Sequence, residues 1–328
     1  MKLFVTGAAG YIGGTFCYEA LLKGYQVVGC DNFSNSSKQT ANKLIEKFGK
    51  SFIFHQIDLA KEKDKIKRAL TSDIDYVIHF ASLKDVLESY LNEKLYWENN
   101  LHSTINLINV MKSKNLDKLI FSSSAAVYGE SKVQPVKENF PTNPLSPYAK
   151  TKLANENLIT DYSDLGEIKS FSLRYFNPLG YHKDAVIKES LNSQSKNVMQ
   201  NLLISAREST EFKIYGSSYP TSDGTAIRDF IHINDVISGH FKAMKSLEHS
   251  TGNKIINLGT GQGTTVLQLV NAFNEINDLN LSYSFTNERS EDLAISYADV
   301  TLAQELLDWS SEHSLEDMCK DSWRSICV

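Results

Sequence analysis

Two side chains near the middle of the sequence are spaced so that together they could transfer a proton. Tyr148 and Lys152 are four residues apart, which places them on one face of a helix. A free tyrosine has a pKa of about 10 and is a poor base at neutral pH. A neighbouring ammonium group favours the phenolate and lowers that pKa. The pair therefore predicts a tyrosine that acts as general base and general acid.

A serine is predicted to complete this proton-transfer set. Ser124 follows the apolar run at 118–122, at the end of a predicted strand, where its hydroxyl can hydrogen-bond the same substrate oxygen. Taken alone, the Tyr-x-x-x-Lys spacing is common and is equally typical of an ordinary surface pair on a helix. Its combination with Ser124 and with a glycine motif near the N-terminus favours catalysis.

The glycine motif has the form of a dinucleotide-binding turn. Gly7, Gly10 and Gly13 lie between a short apolar run at 2–6 and a helical pattern that continues to Leu22. Glycine at these positions allows a tight turn, close approach of the backbone to a pyrophosphate, and close packing of helix on sheet. The free N–H groups of the helix N-terminus attract phosphate. The alternative is a tight strand–helix turn that binds nothing.

An acidic residue indicates which dinucleotide this turn binds. Asp31 ends the second apolar run, where a carboxylate suits the free ribose 2′-hydroxyl of NAD and repels the 2′-phosphate of NADP. NAD would also place a positively charged, hydride-accepting ring beside Tyr148. The alternative for Asp31 is a carboxylate that caps the following turn. Asp58, after the third apolar run, could reach the adenine or could equally cap the next helix.

The order of the elements supplies a scaffold for these residues. Short apolar runs occur at 2–6, 26–30, 52–57, 75–80 and 118–122, with amphipathic segments near 61–71 and 95–113 between them. A helix near 148–163 and a strand near 168–174 extend the series. This alternation predicts βαβ units and a doubly wound parallel sheet of the Rossmann type, covered on both faces.

The chain is long enough for two domains. We predict an NAD-binding domain at 1–178, to which segments near 229–258 return, and a smaller mixed α/β substrate domain at 179–328. A net charge of −5, from 34 basic and 39 acidic residues, argues against nucleic acid as a partner.

The spacing of the cysteines and histidines indicates whether the protein binds a metal, and the length of the apolar runs indicates where in the cell it resides. The four cysteines show no C-x-x-C spacing, and the eight histidines show no His-x-x-x-His spacing, so we expect neither a disulfide framework nor a metal site. Without a leader-like or spanning apolar run, we expect a soluble cytoplasmic protein that does not enter a membrane.

Taken together, the motifs resemble those of the extended short-chain dehydrogenase/reductase superfamily and, within it, of the UDP-glucose (UDP-galactose) 4-epimerase family. The likeness rests on Gly7–Gly13, Asp31-Asn32, His79–Lys84, Asn99-Asn100, Phe121–Gly129, Ser146–Lys152, Arg174–Pro178, Tyr219–Thr225, Arg228–His232 and Arg289-x-x-Asp292. The resemblance implies an isomerase of galactose metabolism that inverts C4 of a UDP-hexose through a transient 4-keto sugar. It also implies a homodimer built on the helices near 95–113 and 148–163.

The same resemblance implies a set of binding residues. NAD would be held by Gly7, Gly10, Tyr11, Ile12, Gly13, Asp31, Asn32, Asp58, Leu59, Phe80, Ala81, Lys84, Asn99, Ser124, Tyr148, Lys152 and Phe176. The UDP-hexose would be held by Lys84, Ser124, Tyr148, Asn177, Asn197, Tyr215, Arg228, Arg289, Asp292 and Ser296. Guanidinium groups suit a diphosphate, although Arg228 and Arg289 considered alone would be ordinary surface ion pairs.

One position bears on the choice of sugar, and two other readings compete with the epimerase. Hexose-selective bacterial members of the family carry a bulky Tyr where this chain has Ser296, so the resemblance implies room for an N-acetyl group unless Tyr297 fills it. A 4,6-dehydratase or decarboxylase is a sibling reading, but dehydratases carry an acidic pair where this chain has Ala125-Ala126. A non-catalytic NAD sensor usually loses the Tyr or the Lys.

Overall fold

The computed structural model describes residues 1–184, 187, 197–289 and 292–327. The strands within these ranges are β1 Lys2–Thr6, β2 Gln26–Asp31, β3 Phe52–Gln56, β4 Tyr76–His79, β5 Lys118–Ser124, β6 Lys169–Tyr175, β7 Asn177–Leu179, β8 Phe212–Tyr215, β9 Ile227–Arg228, β10 Phe230–His232, β11 Asn253–Leu258, β12 Thr264–Thr265, β13 Tyr283–Thr286 and β14 Ile295–Ser296. The helices are α1 Tyr11–Leu22, α2 Lys38–Phe48, α3 Lys63–Ala69, α4 Val86–Leu91, α5 Glu93–Ser113, α6 Pro147–Asp164, α7 Val198–Glu208, α8 Ile233–Leu247, α9 Val266–Ile276, α10 Thr301–Leu307 and α11 Leu315–Cys327.

A seven-stranded sheet forms from β1 to β6 and from the later strand β11, in the order β11-β6-β5-β4-β1-β2-β3. The pairs β1–β2, β2–β3, β1–β4 and β4–β5 are all parallel. The chain first builds outward from β1 to β3 and then returns to build the other side from β4. The order therefore reverses between β1 and β4, and a sheet of this kind binds its ligand beyond the carboxyl ends of the strands at such a reversal.

Apolar side chains of the strands and helices explain why these segments form this sheet. The three central residues of β1, Leu3, Phe4 and Val5, are fully buried, as expected for strands covered on both faces. Phe4 belongs to a continuous apolar cluster that includes Leu107 of α5 and Ile159 of α6. Full burial of such a side chain stabilises the fold by about 1.5–3 kcal/mol relative to exposure.

Contacts within the chain divide it into two compact units. Unit 1 comprises Met1–Tyr128, Pro141–Arg174 and Gly239–Ile256. Unit 2 comprises Gly129–Phe140, Tyr175–Ser238 and Asn257–Val328. Unit 2 contains three small sheets, which are the pair β7–β10, the set β12-β9-β14 and the pair β8–β13. The predicted domain boundary at residue 178 stays a prediction.

The predicted fold class is confirmed, because the seven-stranded sheet with flanking helices is a Rossmann-type α/β fold. The structure also contains α2, a helix at Lys38–Phe48 for which the sequence analysis made no prediction. Within the described ranges, no helix combines the length and the apolar character needed to cross a membrane.

Candidate active site

The glycine turn forms where β1 leads into α1, and its backbone is packed too closely for side chains. Gly7 has a φ of +66°, and a Cβ on it would lie 2.8 Å from the backbone nitrogen of Ala81. A Cβ on Gly13 would lie 2.2 Å from the carbonyl oxygen of Gly7. Tyr11 and Ile12 form the first turn of α1. The predicted residues Gly7, Gly13 and Ala81 therefore meet at the carboxyl ends of β1 and β4.

The N-terminus of α1 is suited to an anion. Gly10 is the N-cap, no side chain caps it, and the first turn contains no acidic residue in this fully described helix. The first N–H groups of a helix have no partner inside the helix and carry a partial positive charge. A phosphate at this end would satisfy both the hydrogen bonds and the charge.

Asp31 lies at the end of β2 and is almost fully buried. Its carboxylate accepts hydrogen bonds from the backbone N–H of Ala9 at 3.1 Å, from that of Phe33 at 2.8 Å and from the Ser36 hydroxyl at 2.7 Å. The side chain of Asn32 likewise accepts from the Ser34 N–H. Asp31 thus holds the glycine turn against the loop after β2. A carboxylate has about four acceptor sites, so one remains for a ribose hydroxyl.

Asp58 and Leu59 occupy the turn after β3. The Asp58 carboxylate accepts the Ala60 N–H at 3.0 Å, while its own N–H donates to Glu62. The N-cap position of α3 is Glu62, so Asp58 caps the turn rather than the helix. The Leu59 side chain belongs to the apolar core of unit 1. Any contact of Leu59 with a ligand is therefore through its backbone.

The loop after β4 is held by Asn100, which the sequence analysis placed only inside a motif. The Asn100 side chain accepts the Leu83 N–H at 2.8 Å and donates to the Leu83 carbonyl at 3.1 Å. It also donates to the Thr151 hydroxyl on α6 at 3.0 Å. The predicted residues on either side are Asn99, which donates to Asn100, and Lys84, which is exposed. Asn100 therefore joins this loop to the helix that carries Tyr148.

Helix α6 begins where its sequence predicts. The Ser146 hydroxyl accepts the Ala149 N–H at 3.1 Å, and Pro147 occupies the first turn, where its missing N–H costs nothing. Tyr148 thus lies in the first turn of the helix, and Lys152 follows one turn later on the same face. The chain positions both residues by a local capping signal that is readable from the sequence.

The three predicted catalytic residues lie together in unit 1. The Lys152 ammonium is buried, donates to the Ser122 carbonyl at 2.7 Å and lies 5.9 Å from the centre of the Tyr148 ring. A hydrogen bond joins Tyr148 to Ser124, the last residue of β5. The geometry therefore brings the proton-transfer set to the same edge of the sheet as the glycine turn.

Burial changes the proton affinity of this set. Burial raises the pKa of Tyr148 above its ordinary value, although the hydrogen bond from Ser124 opposes this. Burial lowers the pKa of Lys152 to about 7, against the attraction of Glu156. The predicted lowering of the tyrosine pKa depends on Lys152 together with the positive charge of an oxidised nicotinamide, and it stays a prediction.

His79 is a buried residue beside this set that the sequence analysis did not single out as functional. Its ring bonds the hydroxyls of Thr6 at 2.7 Å and Thr104 at 3.1 Å, and the Thr6 hydroxyl accepts the Ala81 N–H at 3.1 Å. Burial, together with Lys152, lowers the pKa of His79 to about 3. The ring is therefore neutral and orders the predicted residue Ala81 through Thr6.

Unit 2 assembles the predicted cationic residues into one cluster. The Arg228 guanidinium donates to the carbonyls of Ile227 at 2.9 Å and Leu293 at 2.6 Å, and lies 3.4 Å from the Asp292 carboxylate. The Arg289 guanidinium lies 3.6 Å from the centre of the Tyr215 ring. Arg228 and Asp292 thus form a partly buried pair rather than the surface pair considered above.

Two polar atoms of this cluster are buried without a hydrogen-bond partner among the described residues. They are the Nε of Arg289 and the hydroxyl oxygen of Tyr219. Burial raises the pKa of Tyr219, as do the carboxylates of Asp292 and Glu288. Buried polar groups are normally hydrogen-bonded, so a ligand or an ordered water is expected to satisfy these atoms. Tyr219 lies in a motif that the resemblance used, but it was not predicted as a binding residue.

The other predicted substrate residues of unit 2 have structural partners. The Asn177 side chain donates to the Asp229 carbonyl at 3.0 Å in the β7–β10 pair. The Asn197 side chain caps α7 by accepting the Met199 N–H at 2.9 Å and the Gln200 N–H at 3.3 Å. Phe176, predicted in the cofactor set, is buried in unit 2.

Ser296 lies in β14, which is fixed on both sides. On one side the Asp229 N–H donates to the Ser296 carbonyl at 3.1 Å. On the other side the amide of Gln134 bridges the residues that flank Ser296, because it donates to the Ile295 carbonyl and accepts the Tyr297 N–H, each at 3.1 Å. The Tyr297 ring lies over Gly263, where a Cβ would come within 3.2 Å of it.

Tyr297 follows β14 directly, and its ring packs on Gly263. The predicted role of Ser296 in the choice of sugar stays a prediction.

The chain belongs to the NAD dependent epimerase/dehydratase family, whose model matches residues 3–259. Its relatives include the UDP-glucose 4-epimerase of Bacillus subtilis strain 168, which is 39% identical over 326 residues, covering 99% of this chain and 96% of that one. These matches confirm the resemblance that the motifs predicted.

Solved structures give the same result. The UDP-glucose 4-epimerase of Stenotrophomonas maltophila, crystallised with NAD and formylated UDP-arabinopyranose, has a TM-score of 0.95 at 36% identity, covering 99% of this chain and 97% of that one. The UDP-Glc/GlcNAc 4-epimerase of Campylobacter jejuni has a TM-score of 0.84 at 29% identity, covering 99% and 98%.

Proposed function

We propose that this protein is an NAD-dependent 4-epimerase that interconverts UDP-glucose and UDP-galactose. The observation that carries the proposal is the presence, in one unit, of the glycine turn and the Tyr148–Lys152–Ser124 set. The 39% identity to a UDP-glucose 4-epimerase over 99% of the chain supports the choice of substrate.

The residues present fit NAD. The uncapped N-terminus of α1 suits the pyrophosphate, and the remaining acceptor site of Asp31 suits a ribose hydroxyl. The positive charge of an oxidised nicotinamide beside Tyr148 would favour the phenolate and oppose the effect of burial on its pKa. We propose that the cofactor residues predicted from the sequence hold NAD in this way, with Leu59 contributing only backbone.

Bound NAD supplies a carrier that takes the hydride from C4 of the sugar and returns it. The Tyr148 phenolate accepts the proton of the 4-hydroxyl group and later returns a proton to the same oxygen. Ser124 holds that oxygen by a hydrogen bond, and Lys152 stabilises the phenolate by its charge. Because the 4-keto sugar is planar at C4, inversion requires the sugar to turn over while its nucleotide stays bound.

We propose that unit 2 holds the nucleotide during this turn. Arg228 and Arg289 supply cationic donors for a diphosphate. The unpartnered Nε of Arg289 and the Tyr219 hydroxyl mark where polar atoms of the substrate would bind. A firm hold on the nucleotide prevents escape of the keto sugar and leaves the sugar free to rotate.

The alternative functions lack a specific feature. A 4,6-dehydratase needs an acid and a base beside the serine, but the turn after β5 carries Ala125 and Ala126. A non-catalytic sensor does not need the buried Lys152 and its bond to Ser122. The epimerase proposal uses every member of the set.

A substrate assay without added NAD tests the proposal. UDP-glucose carrying deuterium at C4 should yield UDP-galactose that retains the label, because the hydride leaves and returns within the protein. Loss of the label to solvent would contradict the mechanism. Steady release of NADH would indicate a dehydrogenase, and bound NAD without turnover would indicate a sensor.

We propose further that the sugar site also accepts UDP-N-acetylglucosamine and UDP-N-acetylgalactosamine. The support is the small side chain of Ser296 on a fixed strand, with the Tyr297 ring packed on Gly263. Ser296→Tyr is expected to reduce kcat/KM for the N-acetylated sugars at least ~100-fold, because a phenol ring would occupy the acetamido space, a loss of the size that a steric mismatch of about 3 kcal/mol produces. The activity on UDP-galactose should change less than about threefold.

The control for this prediction is Ser296→Ala, which keeps the space and should retain both activities. The measurement is kcat/KM for all four UDP-sugars with each variant. If the wild-type protein does not turn over the N-acetylated sugars, the proposal of the wider substrate range fails while the epimerase proposal stands.

We propose a homodimer formed through the helices α5 and α6. Large apolar side chains are exposed at the end of α4, on Tyr90 and Leu91, and in the first turn of α5, on Leu95. Contiguous apolar exposure is typical of protein–protein contact. Light scattering should give twice the chain mass of 36.8 kDa, and Leu95→Glu should shift the mass towards that of the single chain. A wild-type mass of one chain would contradict the dimer.

We also propose a cytoplasmic location, which is consistent with the free thiols of Cys17, Cys30, Cys319 and Cys327. Cell fractionation with antibody detection tests it.

A further inference from the structure

A buried ion pair lies next to the proton-transfer set, although the reaction described above does not use it. The Glu156 carboxylate accepts two hydrogen bonds from the Arg174 guanidinium, one from Nε at 2.9 Å and one from Nη2 at 2.6 Å. Glu156 is 1% exposed and Arg174 is 2% exposed. Taking two charges out of water is costly, and replacing such a pair by apolar side chains is often neutral or stabilising. Stability alone therefore does not explain this pair.

The pair links α6 and β5, which carry the catalytic residues, to β6. Glu156 follows Lys152 by one helical turn on α6. It also accepts a hydrogen bond from the hydroxyl of Ser123, the neighbour of Ser124 at the end of β5. Arg174 belongs to β6 and lies with its guanidinium 4.6 Å from the centre of the Tyr128 ring. The pair thus connects α6 and β5 to β6, one helical turn beyond Lys152.

The spacing of Lys152 and Glu156 would ordinarily join them to each other. Opposite charges four residues apart on a helix are neighbours and attract. Instead, Arg174 occupies both Glu156 oxygens, and the Lys152 ammonium donates to the Ser122 carbonyl, 5.9 Å from the Tyr148 ring. A Lys152–Glu156 pair would turn the ammonium away from the phenol and cancel its charge.

We propose that Glu156 and Arg174 are positioning residues, which keep the Lys152 ammonium directed at Tyr148 and hold the end of β5 that carries Ser124. The proposal deepens the proposed function, since it concerns the same proton transfer. Arg174 neutralises Glu156, so that the excess positive charge of this buried region stays on Lys152.

The direction in which the pKa values of Tyr148 and Lys152 shift, when the charge of Arg174 or Glu156 is removed, distinguishes this role from a merely structural one. Tyr148 and Lys152 titrate as a coupled pair. Deprotonation gives Tyr148 a negative charge and removes the positive charge of Lys152, so the net charge of the pair falls in either case. Removing the positive charge of Arg174 therefore raises the apparent pKa values of the couple, and removing the negative charge of Glu156 lowers them. Neighbouring groups of the couple are His79 on β4, Ser123 and Ser124 on β5, Tyr128 after β5, Glu156 on α6 and Arg174 on β6.

The experiment follows the ionisation of Tyr148 in the NAD-loaded protein by ¹³Cζ NMR of labelled tyrosine, with Tyr148→Phe used to assign the signal. Arg174→Met is expected to move the Tyr148 titration to higher pH, and Glu156→Gln to lower pH. The double variant Glu156→Gln with Arg174→Met should return towards the wild-type titration, because the net charge is restored. Arg207→Met and Glu208→Gln, which alter an exposed pair, serve as controls and should shift nothing.

The kinetic result should follow the same pattern. Below the pKa of the base, a rise of one pKa unit reduces kcat tenfold, because the fraction of phenolate falls tenfold. We therefore expect kcat of Arg174→Met to fall about tenfold or more at fixed pH with little change in KM. Arg174→Lys should recover part of the lost kcat, since lysine keeps the positive charge but cannot form the bidentate hydrogen bonds to Glu156.

Opposite shifts in the two single variants support the proposal. Shifts in the same direction, or unchanged titration in folded variants, overturn it. If Arg174→Met does not fold, the downward shift in Glu156→Gln and the restored titration in the double variant remain required. The NMR titration does not depend on epimerase activity, so failure of this proposal is distinct from failure of the proposed function.

Discussion

Tyr148→Phe is expected to reduce the rate of interconversion of UDP-glucose and UDP-galactose by ~10²–10⁴-fold. The change removes one oxygen, and with it the group that accepts and returns the proton of the sugar 4-hydroxyl; a positioned acid–base group contributes about this factor. The ring itself stays, so the packing of the first turn of α6 around Ser146 should be unaffected. The measurement is kcat with saturating UDP-galactose and protein of matched NAD content.

Two companion measurements show whether the loss is chemical. The Kd for UDP should stay within about twofold of the wild-type value, because the proposed nucleotide residues Arg228 and Arg289 lie in unit 2. Ser124→Ala should cost less than Tyr148→Phe, since water can replace one neutral hydrogen bond more easily than it can replace the base. A Tyr148→Phe protein that retains more than a tenth of the activity would rule out tyrosine as the proton acceptor.

Gly13→Ala is expected to lower the free energy of unfolding by roughly 3 kcal/mol and to abolish retention of NAD. The added Cβ would lie 2.2 Å from the carbonyl oxygen of Gly7, which is backbone and cannot rotate away. Overpacking of a closely packed site costs typically ~1–3 kcal/mol, and a backbone clash lies at the upper end. The helix must then move off the turn, which takes its N-terminal N–H groups out of position. Denaturant unfolding and the absorbance of released NAD measure the two effects.

Gly10→Ala is the matched control in the same turn. Its Cβ would lie 3.4 Å from the Gly7 carbonyl oxygen, and its φ of −78° suits alanine, so stability without cofactor should change by less than about 1 kcal/mol. We expect Gly10→Ala to weaken NAD retention nevertheless, because the methyl group would face the pyrophosphate. A loss of stability in Gly13→Ala as small as that in Gly10→Ala would contradict the predicted clash with the Gly7 carbonyl oxygen.

Local signals allowed much of this fold to be predicted from the sequence. The glycine turn, the carboxylate after β2, and the Ser146-Pro147 start of α6 each follow from the chemistry of a few adjacent residues. Apolar runs gave the central strands, because strands buried on both faces are apolar throughout. Helix α2 was missed, because the segment is polar overall and buries only Thr40, Ala41 and Leu44.

Features that depend on contacts between distant residues could not be predicted. The pKa of Tyr148 depends on how completely the fold desolvates it, and spacing within a helix does not report desolvation. The bond network of Asn100 joins residues 83 and 151, and the pair of Glu156 and Arg174 joins α6 to β6. Which residues become partners depends on the order of the strands in the sheet. The sequence pattern predicts the class of fold but does not predict that order.

The position of β11 at the margin of the large sheet has a consequence for biosynthesis. This strand comes from Asn253–Leu258, yet it pairs with β6, whose residues are made about eighty positions earlier. Until the ribosome has released residue 258, β6 presents unpaired N–H and C=O groups, which can pair with other nascent chains. Truncated forms that stop before this strand should therefore precipitate when expressed.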